Sequence, residues 1–120
     1  MTYTIRIKRI YEEPSDEDGY RILVDRLWPR GIKKENAHID EWAKDIAPSN
    51  ALRKRYHADQ DYDSFVRDYK EELDQNAYFN AFMDICKDHL QYENITLLSA
   101  SKNINQCNAS ALKSILLKIV

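Results

Sequence analysis

Two stretches of the chain concentrate side chains able to bind or transform a ligand. They are Asp25-Arg26-Leu27-Trp28-Pro29-Arg30-Gly31-Ile32-Lys33 and Ser99-Ala100-Ser101-Lys102-Asn103-Ile104-Asn105-Gln106-Cys107-Asn108. In the first, Arg26 and Arg30 carry planar forks that match carboxylate or phosphate, and Trp28 offers a flat face for stacking. Pro29 restricts the backbone between them and Gly31 relaxes it. Asp25 is placed to orient the arginines or to move a proton. The plain structural alternative is an Asp–Arg ion pair, with Trp28 plugging one end of the core.

The second stretch runs into a helix. Unpaired backbone N–H groups near Gln106, Cys107 and Asn108 suit an anion there, and Lys102 adds positive charge. A helix start also favours thiolate, which makes Cys107 the sharpest candidate nucleophile. No glycine-rich phosphate cradle or cysteine-led arginine loop accompanies it, so an ordinary helix-start residue is the competing reading. Elsewhere the signals are weaker. His38, His57 and His89 have neither i,i+4 spacing nor a cysteine pair, so no metal site is expected. Asp40, Glu41 and Asp45 include a candidate general base, which the adjacent Lys44 would equally neutralise. The run Arg53-Lys54-Arg55 with Tyr56 suits a phosphate backbone, or a solvated helix face.

These groups must be held by secondary structure, and hydrophobic periodicity supplies it. Thr4 to Ile10 alternates apolar and basic residues, which predicts a strand with one wetter face. Arg21-Ile22-Leu23-Val24-Asp25 and Ile95-Thr96-Leu97-Leu98 are short continuous apolar runs, which predict strands covered on both faces. Tyr62, Phe65, Val66, Tyr69 and Leu73 recur at helical spacing, as do Phe79, Phe82, Met83, Cys86 and Leu90, with Asn76 placed to cap the second set. Ala109, Leu112, Ile115, Leu116 and Ile119 mark a last helix. Pro48-Ser49 precedes a predicted helix over 50–57, capped by Ser49. The span 39–46 fits a helical face and a strand equally.

Buried strands separated by helices predict an α/β fold: a single-domain sandwich over 1–120 whose largely parallel sheet is flanked by helices. In such sheets the ligand crevice lies beyond the carboxyl ends of the strands, where both chemistry-bearing stretches fall.

Composition narrows the function classes. With 120 residues, 43% hydrophobic, 2 Gly, 3 Pro and 2 Cys, the chain has the balance of one globular domain and excludes collagen-like, low-complexity and disulfide-scaffold classes. The net charge of −2 demands neither nucleic acid nor an anionic membrane. Charge is uneven, however. Residues 20–60 carry 9 basic and 6 acidic groups, whereas residues 61–93 carry 3 and 9, so the latter predict a solvated outer layer. The N-terminus lacks the apolar core of a signal peptide and no run has the length of a membrane span, which predicts a cytoplasmic protein with free thiols.

The segments Gly19 to Gly31, Trp42-Ala43-Lys44-Asp45-Ile46-Ala47-Pro48-Ser49 and Leu52-Arg53 resemble the YeaO-like branch of domain-of-unknown-function family 488. The resemblance covers nearly the whole chain. It rests on a valine-aspartate-arginine strand end, a tryptophan-proline-arginine-glycine loop and a lysine-acid-apolar-alanine-proline-serine segment. These are met at Val24 to Arg26, Trp28 to Gly31 and Lys44 to Ser49. It implies a small bacterial or archaeal cytoplasmic α/β protein and no established reaction. The last loop departs from the family pattern. Lys102 matches, but Asn103 stands where relatives carry aspartate, Gln106 where they carry histidine and Cys107 where they carry asparagine. A more distant branch carries cysteine-histidine-arginine at the helix start, of which Cys107 alone matches, with Asn108 and Ala109 in the other places. If those groups do chemistry in relatives, it is lost here.

The expected site is an anion-favouring crevice formed by Asp25 to Lys33 and Ser99 to Asn108, with Lys44, Asp45 and Ser49 lining it. Arg26, Arg30 and Lys102 would hold the charged part of a small anionic ligand and Trp28 its flat part. Asp25 and Cys107 are the candidate reactive groups, and no cofactor is called for. The second reading is a nucleic-acid or protein interaction module using Arg30, Lys33, Lys34 and Arg53 to Arg55.

Overall fold

The computed structural model describes residues 3–119. Its sheet is fully parallel and has the strand order β1-β4-β2-β3, with β1 at Ile5–Arg9, β2 at Tyr20–Leu23, β3 at Glu41–Trp42 and β4 at Ile95–Ser99. Every residue of β4 is buried, as the unbroken apolar run requires. The register sets Leu97 beside Ile7 on one side and Ile22 on the other. The open question over 39–46 resolves into two short pieces: edge strand β3, then a 3-10 turn at Lys44–Ile46. Ala43 N–H bonds to Leu23 O at 2.8 Å, which holds this stretch to the sheet and away from a helical path.

The helices are α1 at Lys34–Ala37, α2 at Asn50–Asp59, α3 at Tyr62–Asp74, α4 at Phe79–His89 and α5 at Asn108–Leu117. Helix α2 starts where Pro48 and Ser49 predict: Ser49 Oγ accepts from Leu52 N–H at 3.1 Å. Asn76 does not cap α4. Its Oδ1 accepts from Tyr78 N–H at 2.7 Å, making a turn one step before the helix, and Tyr78 occupies the cap position. Helix α3 buries Phe65, Tyr69 and Leu73 at i, i+4 and i+8. At about 2 kcal/mol for each buried side chain of this size, packing outweighs intrinsic helix propensity, which is worth tenths per residue.

The two faces of the sheet are covered differently. Ile5, Ile22, Val24, Ile95 and Leu97 pack against residues of α2, α3, α4 and α5 in the main core. On the opposite face Leu23 and Leu98 join Ile10, with Trp28, Ile32, Ile39 and Trp42 packed over them, so loops and the single-turn α1 close this side. The acidic residues Asp63, Glu71, Asp74, Asp84 and Asp88 of α3 and α4 are all exposed, as the charge asymmetry predicts.

At the amino end of the second face lies an ionic cluster. Asp18 is 0% exposed and accepts from Lys8 Nζ at 3.1 Å, from Ser15 N–H at 3.0 Å and from Arg21 Nη1, while Arg6 stands 3.7 Å away. Arg21 is itself 5% exposed and also donates to His38 O at 2.8 Å. Burial alone would raise the Asp18 carboxyl, but the hydrogen bonds from Ser15, Lys8 and Arg21 prevail and hold it at about 2.

Candidate functional site

Because all four strands run the same way, their carboxyl ends share one edge. A cleft of about 840 Å³ opens there, within the range of small-molecule sites. Its lining includes Asp25, Arg26, Trp28 and Arg30 from the loop after β2, Ser99 to Ser101, Asn103 and Gln106 to Asn108 from the loop after β4, and Tyr11 from beyond β1. A third wall comes from α2, through Arg53, Lys54, Tyr56 and His57.

Asp25 is a structural knot. Its Oδ1 accepts from Ser99 Oγ at 2.8 Å and Asn108 Nδ2 at 2.9 Å, and its Oδ2 accepts from Ala100 N–H at 2.8 Å. Asn108 Nδ2 reaches on to Val24 O at 3.0 Å. One carboxylate thus ties the end of β2 to the end of β4 and the start of α5. Among the described residues it makes no ion pair with Arg26 or Arg30, so it does not orient them. Asp25→Asn should cost about 2 kcal/mol, because the amide cannot accept on both sides and one buried donor loses its partner. Thermal unfolding would show this as a fall of roughly 6–10 °C.

Arg26 donates from Nη2 to Ala47 O at 3.1 Å and to Pro48 O at 3.3 Å, clamping its loop to the segment before α2. Trp28 is partly a plug: its Nε1 donates to Ile32 O at 2.7 Å and its ring meets Trp42 edge-on at 5.3 Å. Arg30, Arg53 and Lys54 are exposed and make no ion pair among the described residues. The sole bond of the Arg53 guanidinium there is to Asn50 Oδ1 at 3.4 Å. Among the described residues the cleft therefore collects four cations without carboxylate partners, Arg26 held by carbonyls and Arg30, Arg53 and Lys54 exposed, and its one acidic residue, Asp25, accepts three hydrogen bonds.

Cys107 occupies the cap position of α5, is 4% exposed and points its thiol toward Ile104 O at 3.7 Å. Its N–H donates to Ser110 Oγ at 2.8 Å and its O accepts from the same hydroxyl at 2.9 Å, so its backbone serves the helix start. The other cysteine, Cys86, is a free buried thiol that burial pushes up to about 12, which keeps it protonated. Tyr56 donates to Gln106 O at 2.8 Å and stacks on Phe65 at 4.6 Å, joining α2 to the last loop.

Four expected residues fall outside the cleft lining, the exposed Asp45 among them. Lys44 lies 4.9 Å over the Trp42 ring on the outer edge. Ser49 turns toward α3, where its N–H and Oγ both donate to Glu72, at 2.9 and 2.6 Å. Lys102 is exposed, and its neighbours Ser101 and Asn103 face the cleft in its stead. Conversely, Tyr11 and the α2 wall were not assigned to the crevice by sequence. The rule of strand carboxyl ends, extended to β1, finds Tyr11. Nothing local in Arg53-Lys54 tells which way that helix packs. Among the described residues, no group of three or more His, Cys, Asp or Glu side chains is arranged to hold a metal ion, and no helix is long and apolar enough to cross a membrane.

Residues 4–120 match the family described as the inactive DUF488-N3 subclade. The chain belongs to that family. It is 46% identical over 110 residues to the uncharacterized protein YeaO of Escherichia coli (strain K12), covering 90% of this chain and 92% of that protein. It is 34% identical over 113 residues to the uncharacterized protein Rv3073c of Mycobacterium tuberculosis (strain ATCC 25618 / H37Rv), covering 93% and 92%. No solved structure matches the chain.

Proposed function

We propose that this DUF488-N3 domain binds a small anionic ligand in the cleft at the carboxyl edge of its sheet and carries out no chemistry on it. The observation that carries this reading is the convergence of Arg30, Arg53 and Lys54, unpaired among the described residues, on a cleft whose only carboxylate among those residues is engaged by three hydrogen bonds. Unpaired cations facing a partly enclosed space attract an anion strongly, because a charge-assisted hydrogen bond there is worth about 1.5–3 kcal/mol. The absence of catalysis is supported by the engagement of Asp25 and Cys107 in structural bonds and by the family's description as inactive. The interaction-module reading loses one of its cations: Arg55 pairs with Asp68 and, at 3.6 Å, with Asp59.

Calorimetric titration with inorganic pyrophosphate tests the proposal. Arg30→Ala and Arg53→Ala should each weaken binding about tenfold or more, equivalent to about 1.4 kcal/mol, while thermal stability without ligand moves little. Lys102→Ala, outside the cleft lining, should stay within about twofold of wild type. Failure of pyrophosphate to bind wild-type protein at millimolar concentration would overturn the reading, as would equal losses in all three variants.

A further inference from the structure

We infer that the anion held in this cleft is the phosphate of a free nucleoside phosphate. The inference rests on the anion-binding reading above and adds what the cations do not explain. Three features of the lining select among anions.

The first is a stacking surface. Tyr11 is 46% exposed, lines the cleft and is held in place by its hydroxyl, which donates to Arg30 O at 3.1 Å. The Arg9 guanidinium lies over its ring at 5.1 Å, and Arg9 Nε donates to Ser101 O at 3.0 Å, so the ring and the last loop are braced together. An exposed ring fixed beside unpaired cations suits a ligand that is both charged and flat.

The second feature is hydrogen-bonding capacity on the facing loop. Asn103 accepts from Asn105 N–H at 3.1 Å, which leaves its Nδ2 without a partner, and the Gln106 carboxamide has none at either atom among the described residues. A planar carboxamide presents a donor and an acceptor side by side, the pattern that matches the edge of a nucleobase. Inorganic phosphates and simple carboxylates can take the amide donors but leave the stacking face unused.

The third is extent. About 840 Å³ far exceeds the needs of pyrophosphate and accommodates base, sugar and phosphates together. The cations do not continue along α2, because Arg55 is held by Asp59 and Asp68. A groove for a polymer needs charge that tracks the backbone beyond one residue, so a free nucleotide fits better than a strand.

The test compares adenosine, guanosine and cytidine diphosphates with pyrophosphate on the same protein by calorimetry. At least one nucleotide should bind tenfold or more tighter than pyrophosphate, the range that one stacked base contributes. Tyr11→Leu and the Asn103→Ala/Gln106→Ala double variant should each reduce that ratio at least threefold. The ratio is the readout, so any displacement of Arg30 by the Tyr11 change cancels between the two ligands. Equal affinity for nucleotides and pyrophosphate would overturn this inference and leave the anion reading standing. Failure of every ligand would remove both. Tighter binding of a twelve-nucleotide single strand, with affinity falling steeply against log salt, would replace the free nucleotide with a polymer.

Discussion

Asparagine at position 18 should destabilise the fold by about 3–5 kcal/mol at pH 7, the range found when one partner of a buried ion pair is removed. Asp18 is fully buried, and Arg21 beside it is 5% exposed. Without the carboxylate, the Arg21 guanidinium keeps its bond to His38 O but has no counter-charge, and Lys8 and Arg6 repel it. Linkage supplies the sign with pH. The folded-state carboxyl is held at about 2 against an ordinary 3.8, so its contribution is fully present above the ordinary value and is lost as pH falls through 2. That contribution amounts to about 2 kcal/mol. Wild-type stability should therefore fall on acidification through this window by that much more than the variant's. Urea unfolding from pH 6 to pH 2 would show the two curves converging. Parallel curves, or a cost under about 1 kcal/mol at neutral pH, would remove Asp18 from its assigned role.

Alanine at Gly19 should be at least as severe, at about 4 kcal/mol or more, or should prevent folding outright. Gly19 has φ 64° and ψ −127°, a conformation that side chains rarely adopt and that costs about 1–3 kcal/mol by itself. A Cβ there would also stand 2.0 Å from Asn94 O and 2.7 Å from its carbonyl carbon. Asn94 cannot retreat. Its O accepts from Tyr20 N–H at 2.8 Å, its Oδ1 accepts from Thr4 N–H at 2.9 Å, and its Nδ2 donates to Glu17 O at 2.9 Å. Gly31 is the internal control, with φ 77° but nothing within 4 Å of an added Cβ. Gly31→Ala should cost only about 1 kcal/mol, the left-handed conformation alone. A gap of less than about 2 kcal/mol between the two variants in urea unfolding would show that β2 and β4 separate easily at this point.

Much of the candidate site was legible because the rule it follows is topological. Ile22 to Val24 and Ile95 to Leu98 are continuous apolar runs, which mark strands buried on both faces and therefore parallel. From there, Asp25 to Lys33 and Ser99 to Asn108 follow as the carboxyl-end loops, and Asp25 to Arg30 together with most of the second loop line the cleft. Arg26, Trp28, Arg30 and Cys107 were placed by this argument. Lys44 and Ser49 were carried along by proximity in sequence to a segment whose geometry was open, and both face elsewhere.

The sequence alone determined the properties that depend on neighbours along the chain. These are the alternation of buried strands with amphipathic helices, the Ser49 cap, and the exposed acidic layer of α3 and α4. Each follows from periodicity or from a side chain reaching its own backbone within a turn. Tertiary structure decided the rest. It chose strand order, made α2 the third wall, brought Asp18 to Arg6, Lys8 and Arg21, and turned Asp25 from a candidate base into a knot binding Ser99, Ala100 and Asn108. Apart from Asp18–Arg21, which are three residues apart, those pairings join residues distant in sequence. Which of them forms depends on the total burial and hydrogen bonding of the packed chain, a sum that no local pattern of residues records.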